Sequence, residues 1–552
     1  MNLAQKLPKL VNRIFPKENS HLNLMRYYYN KGLRTHNKSH NQQKTIQKFE
    51  SDAIVKNFED QITIRRRQAK NSILIKLEND SEVYGLLDDL DRIGTRISKI
   101  FVMGDHNMPN NRTALVEFES KECIDSILER YGTSFLNSQH LPSKTRLLLY
   151  KKFRQNTTTT TKQKFHRKYD IKFCLSNQSL DEKIKKMFDH FRLDESGSRI
   201  RYFIASVIEE SFNGLFRNCL CLPFGSSANN FGHRTSDLDL QFCLEDTFFK
   251  PRLDEKHSLN LNGKMMFYSK TVKNTDERQN ARLFLDLLNF IIGNVLPRFN
   301  VRQIVKNARV PILEFDFELP TGQRLNCDLS MSNLEVSYQM TKLFWTYTQL
   351  DNRVAQLIFF IKYWAKLADV TNRTSPSPRI TNFQLTVLIL NFLLRLENPL
   401  ILPLENIVTN NGNLELKYII NNEMNISDLK NMLKVNNKSL LSDILMGFFN
   451  YYSNFDFLSN TISLTKNLNT KKNEFKHNPL VILNPFMPEL NASKNVNRQM
   501  LKKFSNACNT SYELMQKSNN SLNLVEFFQT IKNESKNFDP INENNLADEM
   551  NK

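Results

Sequence analysis

The chain has 552 residues, 40% of them apolar and 11% aromatic, which excludes a disordered polymer and leaves room for roughly three or four domains. Its formal charge of +19 points to a polyanionic partner, nucleic acid first and a membrane surface second. No uncharged apolar run reaches the ~18 residues of a membrane-spanning helix, and seven cysteines and ten scattered histidines without ligand spacing exclude a disulfide scaffold and a zinc module.

Residues 1–45 carry Lys6, Lys9, Arg13, Lys17, Arg26, Lys31, Arg34, Lys38 and Lys44 against one acid, Glu18. Leu3, Leu7, Leu10, Val11 and Ile14 recur at helical spacing. A basic, acid-poor, amphipathic start is the pattern of a mitochondrial presequence; an RNA-holding basic arm is the alternative. Residues 46–70 read as a basic helical linker ending in Arg65-Arg66-Arg67. Over residues 71–150 the spacing predicts a strand at Ser72–Leu77, a helix at Ser81–Arg92, strands at Ile97–Met103 and Thr113–Phe118, a helix at Lys121–Tyr131 and a last strand at Thr145–Leu149. The order β-α-β-β-α-β resembles the RNA-recognition-motif (RRM) fold. Leu74, Thr113 and Leu115 stand where that fold carries stacking aromatics, and only Phe118 matches. Without flat rings the sheet has no base-stacking platform. The expectation is an RRM-like interaction domain whose Leu74–Thr113–Leu115 face is an exposed apolar patch, most simply for a second copy of the chain. Residues 151–179, with Thr157–Thr161, are a polar linker.

Helices are expected at Leu180–Arg192 and Arg199–Arg217, followed by Leu222–Leu240, LPFGSSANNFGHRTSDLDL. This stretch reads as strand, small-residue turn, loop and strand. Gly225 lets the backbone approach a ligand, and N–H groups at a helix start attract anions. Asp237 and Asp239 alternate with leucines, so both carboxylates project to one side. Like charges that close resist ionisation, and a divalent cation held together with a substrate phosphate removes the conflict. A third acid is sought on a later strand. Asp328, in RLNCDLS after a Pro320-Thr321-Gly322 turn, and Asp316 are both candidates. Residues 247–275 read as a loop insertion, and Glu277–Val295 as a helix.

Beyond Asp328 the chain turns helical at Asn333–Tyr347 and Arg353–Leu367. Lys362 and Lys366 share a helix face, which can neutralise a triphosphate or can simply be solvated. After a Ser/Pro loop, Thr381 or Asn382 can cap a new helix whose first turn carries Phe383, a base-stacking ring or a core residue. Residues 511–552 carry no motif.

The Gly-Ser turn with D-x-D resembles the DNA polymerase β-like nucleotidyltransferase superfamily. Phe224-Gly225-Ser226 with Asp237-Leu238-Asp239, Cys327-Asp328-Leu329-Ser330 with Asn333, and Lys362-Tyr363-Trp364-Ala365-Lys366 resemble, within it, the poly(A) polymerase and terminal uridylyltransferase family. Ile380-Thr381-Asn382-Phe383 and Leu483-Asn484-Pro485-Phe486 followed by Ser493-Lys494-Asn495-Val496 are similar to its mitochondrial poly(A) polymerase branch. Uridylyltransferases often carry a histidine where this chain has Lys494.

The resemblance implies an α+β architecture: the RRM-like domain, a nucleotidyltransferase palm with a mixed β-sheet over residues 180–345, and a helical PAP-associated domain over residues 346–510, with 180–200 joining the helical part. It implies that Asp237, Asp239 and Asp328 hold Mg²⁺, with Mn²⁺ as a substitute, and that Asp328 lies on the base side of the attacking RNA 3′-hydroxyl. Phe224, Gly225, Ser226 and Ser236 would line the triphosphate, and Lys362 and Lys366 would bind its far end. Asn333 and Thr341 would contact the ribose, and Asn382 and Phe383 would flank the base. The implied activity is template-independent addition of adenylates from ATP to RNA 3′ ends in the mitochondrial matrix, by a homodimer that does not insert into the membrane. The rivals are the same chemistry with UTP, a catalytically silent RNA-binding scaffold, and an oligoadenylate synthase.

Overall fold

The computed structural model describes residues 55–79, 82–104, 112–131, 146–150, 178–213, 215–216, 219–243, 277–308, 310–331, 334–371, 378–410, 416–421, 424–433, 437–467, 469–470, 473–518 and 522–537. The expected presequence, polar linker and loop insertion lie outside them, the linker apart from its last two residues. The chain divides into two compact units. The first takes its described residues from 55–150 and 193–341, the second from 178–192 and 342–537.

The first unit opens with α1 (Phe58–Lys70), capped by Asn57, whose side chain accepts the Asp60 N–H at 2.9 Å. Then come β1 (Ser72–Leu77), α2 (Glu82–Arg92), β2 (Ile97–Gly104), β3 (Arg112–Phe118), α3 (Lys121–Tyr131) and β4 (Leu147–Leu149). Their sheet has the order β2-β3-β1-β4, with β4 parallel to β1 and the other pairs antiparallel. α4 (Leu180–Phe191) belongs to the second unit, and α5 (Glu195–Phe212) returns to the first.

This first sheet is buried on both faces. Ile73, Ile75, Ala114 and Val116 pack with Leu86 and Leu90 of α2 and Ile124 and Ile127 of α3. On the other face Leu74, Phe101, Met103, Leu115 and Leu147 join Ile200, Phe203 and Ile204 of α5. The expected exposed patch is therefore corrected: Leu74 and Thr113 are 0% exposed and Leu115 1%. A strand apolar on both sides needs cover on both sides, and α5 supplies the second cover from the same chain. Charged groups close the seam. Arg199 of α5 donates to Glu117 of β3 and to Glu195, each at 2.7 Å, and Arg65 of α1 reaches Glu195 at 2.6 Å. Arg66 pairs with Glu209 at 2.9 Å. Thus two members of the Arg65–Arg67 run are spent inside the fold.

The second sheet of this unit comprises β5 (Leu220–Pro223), β6 (Leu238–Cys243), β7 (Phe299–Val305), β8 (Ile312–Glu318) and β9 (Arg324–Ser330), with α6 (Glu277–Val295) between β6 and β7. The order is β5-β6-β9-β8-β7; β6 and β9 are parallel and the other neighbours antiparallel. One face is apolar: Leu240, Phe242, Leu313, Phe315, Phe317 and Leu329 pack with residues of α5 and with Leu285, Leu288 and Ile292 of α6. The alternation in β8 and β9 sends Glu314, Asp316, Asn326 and Asp328 to the opposite face, where they stay partly accessible. Cys219, Cys221 and Cys327 are buried free thiols, as packing residues should be.

α7 (Leu334–Leu350) contains the boundary between the units. The second unit continues with α8 (Asn352–Leu367), α9 (Asn382–Leu394), the pair β10 (Val408–Asn410) and β11 (Tyr418–Ile420), α10 (Ile426–Met432), α11 (Leu441–Ser453), the pair β12 (Asn460–Thr461) and β13 (Asn469–Thr470), α12 (Arg498–Lys517) and α13 (Leu524–Asn537). Its core centres on the buried Trp364, whose ring lies 4.9 Å from Phe449 and whose indole N–H donates to Ser511 Oγ at 2.8 Å. Among the described residues no helix is long and apolar enough to cross a membrane.

Candidate active site

The register of the second sheet brings the acids together. β6 runs parallel to β9 with Asp239 directly opposite Asp328. Asp316 lies one strand further out on β8, opposite Asn326, so Asp328 is the partner that the strand order selects. Asp237 sits in the loop just before β6, where its Oδ1 accepts from Asn326 Nδ2 at 3.3 Å.

At Asp239 and Asp328, burial and like charge outweigh the nearby guanidinium groups of Arg201 and Arg302. Burial, with Asp328 and Asp237 close by, pushes Asp239 up to about 7. Burial, with Asp237 and Glu314, pushes Asp328 up to about 6, against the pull of Arg302, whose Nη2 is 3.9 Å from Asp328 Oδ1. Among the described residues no three His, Cys, Asp or Glu side chains already converge on a point where an ion would sit. An all-oxygen donor set short of positive charge fits a hard divalent cation.

The Gly-Ser turn abuts the acids. Phe224 N–H donates to Asp239 O at 3.1 Å, and Gly225–Ser227 form one 3₁₀ turn. Gly225 has φ +59°, a conformation that favours glycine, and a Cβ there would crowd Asp239 Oδ2 at 3.1 Å. Gly225 N–H donates to Thr341 Oγ1 at 3.0 Å, and that hydroxyl donates to Ser337 O at 2.7 Å. Thr341, expected at the ribose, is buried behind the turn with its hydroxyl engaged on both sides. Ser236 Oγ accepts from His233 N–H at 3.2 Å and shapes the loop before Asp237. Phe224, Gly225, Ser226 and Ser236 are half-buried beside the acids.

Two residues that sequence reasoning missed hold this loop. A Cβ on Gly232 would fall 2.0 Å from Ser226 O, so the chain can pass behind the turn only as glycine. In addition, Gly232 O accepts from Leu193 N–H at 2.7 Å. Arg201 of α5 is fully buried, and its guanidinium donates to Ser236 O at 2.6 Å, Gly197 O at 3.2 Å and Arg234 O at 3.4 Å. Burial lowers it to about 10, while Asp194, Asp237 and Asp239 favour its charge. It thus fixes the backbone one residue before Asp237. In the sequence Gly232 reads as an ordinary loop glycine, and Arg201 as an exposed helix position.

The remaining nucleotide-binding candidates lie in the second unit, apart from Asn333, which is outside the described residues. Lys362, half-buried on α8, is lowered to about 7 by desolvation, and Lys366 one turn later is exposed. Asn382 is exposed as the first residue of α9, where Thr381 and Gln384 form a capping box. Phe383 is half-buried, its ring 6.0 Å from Phe344.

The family described as "Poly(A) RNA polymerase, mitochondrial-like, central palm domain" matches residues 180–349, and "Cid1 family poly A polymerase" matches residues 440–490. The chain is 29% identical over 476 residues to the mitochondrial poly(A) RNA polymerase of Homo sapiens, spanning 85% of this chain and 78% of that one. The Drosophila melanogaster enzyme of the same description is 32% identical over 325 residues, covering 57% and 50%. Among solved structures, mtPAP in its apo form superimposes with a TM-score of 0.69 at 27% identity, over 86% of this chain and 99% of that one. Its complex with ATPγS gives 0.69 at 26%, with the same coverage.

Proposed function

We propose, from the premise that this chain belongs to the poly(A) polymerase family of nucleotidyltransferases, that it adds adenylates from ATP to mitochondrial RNA 3′ ends without a template. The observation that carries this reading is the parallel register setting Asp239 beside Asp328 against the glycine turn. In the reaction the RNA 3′-oxygen forms a bond to the α-phosphorus of ATP, the α–β bridging bond breaks, and pyrophosphate leaves. The proton of the 3′-hydroxyl passes to Asp328. Mg²⁺, or Mn²⁺ in its place, held by Asp237, Asp239 and Asp328, would supply positive charge to the attacking oxygen and the transferred phosphate.

The chain's own residues contribute position and electrostatics. Phe224, Gly225, Ser226 and Ser236 line the triphosphate, with Thr341 holding the turn from behind. Lys362, depressed by desolvation, takes its proton back beside a polyphosphate, and Lys366 adds a second charge. Asn333 contacts the ribose, and Asn382 and Phe383 flank the base. The topology of residues 71–150 supports an RRM-like domain that braces the palm, and residues 346–510 serve as the helical PAP-associated domain. Residues 1–45 act as a mitochondrial presequence, and the matrix is the compartment. Homodimerisation through residues 71–150 would use its edges or helices, since its sheet face is covered. Light scattering of the full chain tests this, with twice the monomer mass expected and the monomer mass overturning it.

The related mtPAP structures include complexes with ATPγS, CTP, UTP and GTP. Occupancy therefore says little about base choice, and extension must be read instead. The test is extension of a single-stranded RNA with Mg²⁺ and each nucleoside triphosphate in turn, with Asp237→Ala as control. Tails from ATP alone, absent in the variant, are expected. Preference for UTP keeps the chemistry and overturns the base choice; no extension with any nucleotide overturns the catalytic reading.

A further inference from the structure

A row of basic residues lies outside the acids and the glycine turn, at the start of α12. Between Glu489 and Glu513 the chain has no acid, yet it carries Lys494, Arg498, Lys502 and Lys503. Lys503 is spent: its Nζ lies 2.8 Å from Asp369 Oδ2, which also pairs with Arg379 at 2.9 Å. Lys494, Arg498 and Lys502 are exposed and form no ion pair with any described residue. Arg498 and Lys502 are one turn apart, about 6 Å along the axis, and the exposed line continues through Asn506 and Asn509. Met500, Phe504 and Cys508 anchor the opposite face in the core. The N-terminal end of α12, capped by Asn497, adds its partial positive charge.

The row also begins at a defined place. Gln384 Nε2 donates to Asn495 Oδ1 and to Ala492 O, each at 2.7 Å, and Asn495 Nδ2 donates to Arg379 O at 2.7 Å. Residues 492–495 are thereby tied to the first turn of α9, where Asn382 is exposed. A solvated basic pair is the ordinary meaning of such spacing. Here three unpaired cations, an acid-free run and a fixed start beside the base-flanking turn coincide.

We propose that Lys494, Arg498 and Lys502 form a track for the phosphate backbone of single-stranded RNA, the polyanion whose 3′ end the enzyme extends; this rests on the RNA-tailing reading above. Phosphate contacts of this kind position a strand without reading its bases. Each one contributes about 0.7 to the slope of log affinity against log salt for single strands.

The test compares the wild-type chain with Arg498→Ala/Lys502→Ala in two assays: equilibrium binding of a fluorescent RNA oligonucleotide across a salt series, and steady-state extension. In the variant we expect RNA half-saturation to rise about 5–10-fold and the salt slope to fall by ~1.4. The KM for ATP and kcat at saturating RNA should stay within about twofold. The charge-keeping swap Arg498→Lys/Lys502→Arg should bind as the wild type does. An unchanged half-saturation and slope overturn the track, as does a swap that binds as poorly as the double alanine. A variant that loses only binding to anionic lipid vesicles also overturns it. If the wild type extends no RNA while the variant still loses RNA binding, the tailing reading fails and the track stands.

Discussion

The first unit holds two sheets on one helix, and they spend their faces differently. The sheet of β1–β4 is apolar on both sides, and α5 closes the side that α2 and α3 leave bare. The sheet of β5–β9 packs one face on α5 and α6, and its other face carries Asp239, Asp328, Glu314 and Asp316. A covered face braces; a polar face left partly open can bind and react. The same helix serves both ends, since Arg199 pairs with Glu117 of the first sheet while Arg201 holds the loop feeding Asp237. The two sheets thus share one helix, and the candidate acids lie on the open face of the second.

Substitutions can separate the roles. The largest effect is expected from Asp239→Ala or Asp328→Ala, which should cut RNA extension by ~10³-fold or more while the chain stays folded. Gly232→Ala comes next. Its methyl must displace Ser226, and a shift of about 1 Å at a binding turn costs on the order of 10²-fold, so kcat/KM for ATP should fall by about that factor. Steady-state kinetics check both, and wild-type kcat/KM in Gly232→Ala would show that the turn is not where the triphosphate sits. Arg199→Met acts on the bracing end. It strands Glu117, already raised by burial, and loss of one partner of a buried pair costs about 3–5 kcal/mol. Thermal denaturation should show a drop of several degrees, with activity per folded molecule retained at low temperature. Loss of activity without loss of stability would break the division of labour.

The smallest effect is a pH dependence. Asp239 and Asp328 ionise less readily in the fold than in the unfolded chain. A raised carboxyl contributes stability that is present below its unfolded value near 4 and lost as pH climbs through about 6 to 7. In chelator, Asp239→Asn should therefore melt higher than the wild type at pH 8, by on the order of 2–4 kcal/mol at most, and the gap should narrow at pH 5. Mg²⁺ should raise the wild-type melting temperature at pH 8 and leave the variant nearly unmoved. A gap that widens toward pH 5 would reverse the sign and contradict the charge deficit.

Much of this was legible in local pattern. Gly225, Asp237, Asp239 and Asp328 sit in short segments whose turn and alternation announce them, and the 277–295 helix is plain from its apolar period. What tertiary contact decides was hidden. The choice between Asp316 and Asp328 needed the parallel pairing of β6 with β9, which joins strands 89 residues apart at Asp239 and Asp328. β7 alternates only weakly and was missed, although it supplies Arg302. The apolar line Leu74–Thr113–Leu115 looks the same whether a second chain or α5 covers it. Gly232 and Arg201 matter only because Ser226 and Ser236 come back to meet them.

A divalent-cation site on the open face of the second sheet would rest on Asp239 and Asp328. The most direct measurement is Mn²⁺ binding by electron paramagnetic resonance to the purified chain and to Asp239→Asn/Asp328→Asn, each shown to be folded. Saturable binding by the wild type, strengthened by ATP, and its loss in the double variant are expected. Equal Mn²⁺ binding by both proteins, with and without ATP, would contradict it.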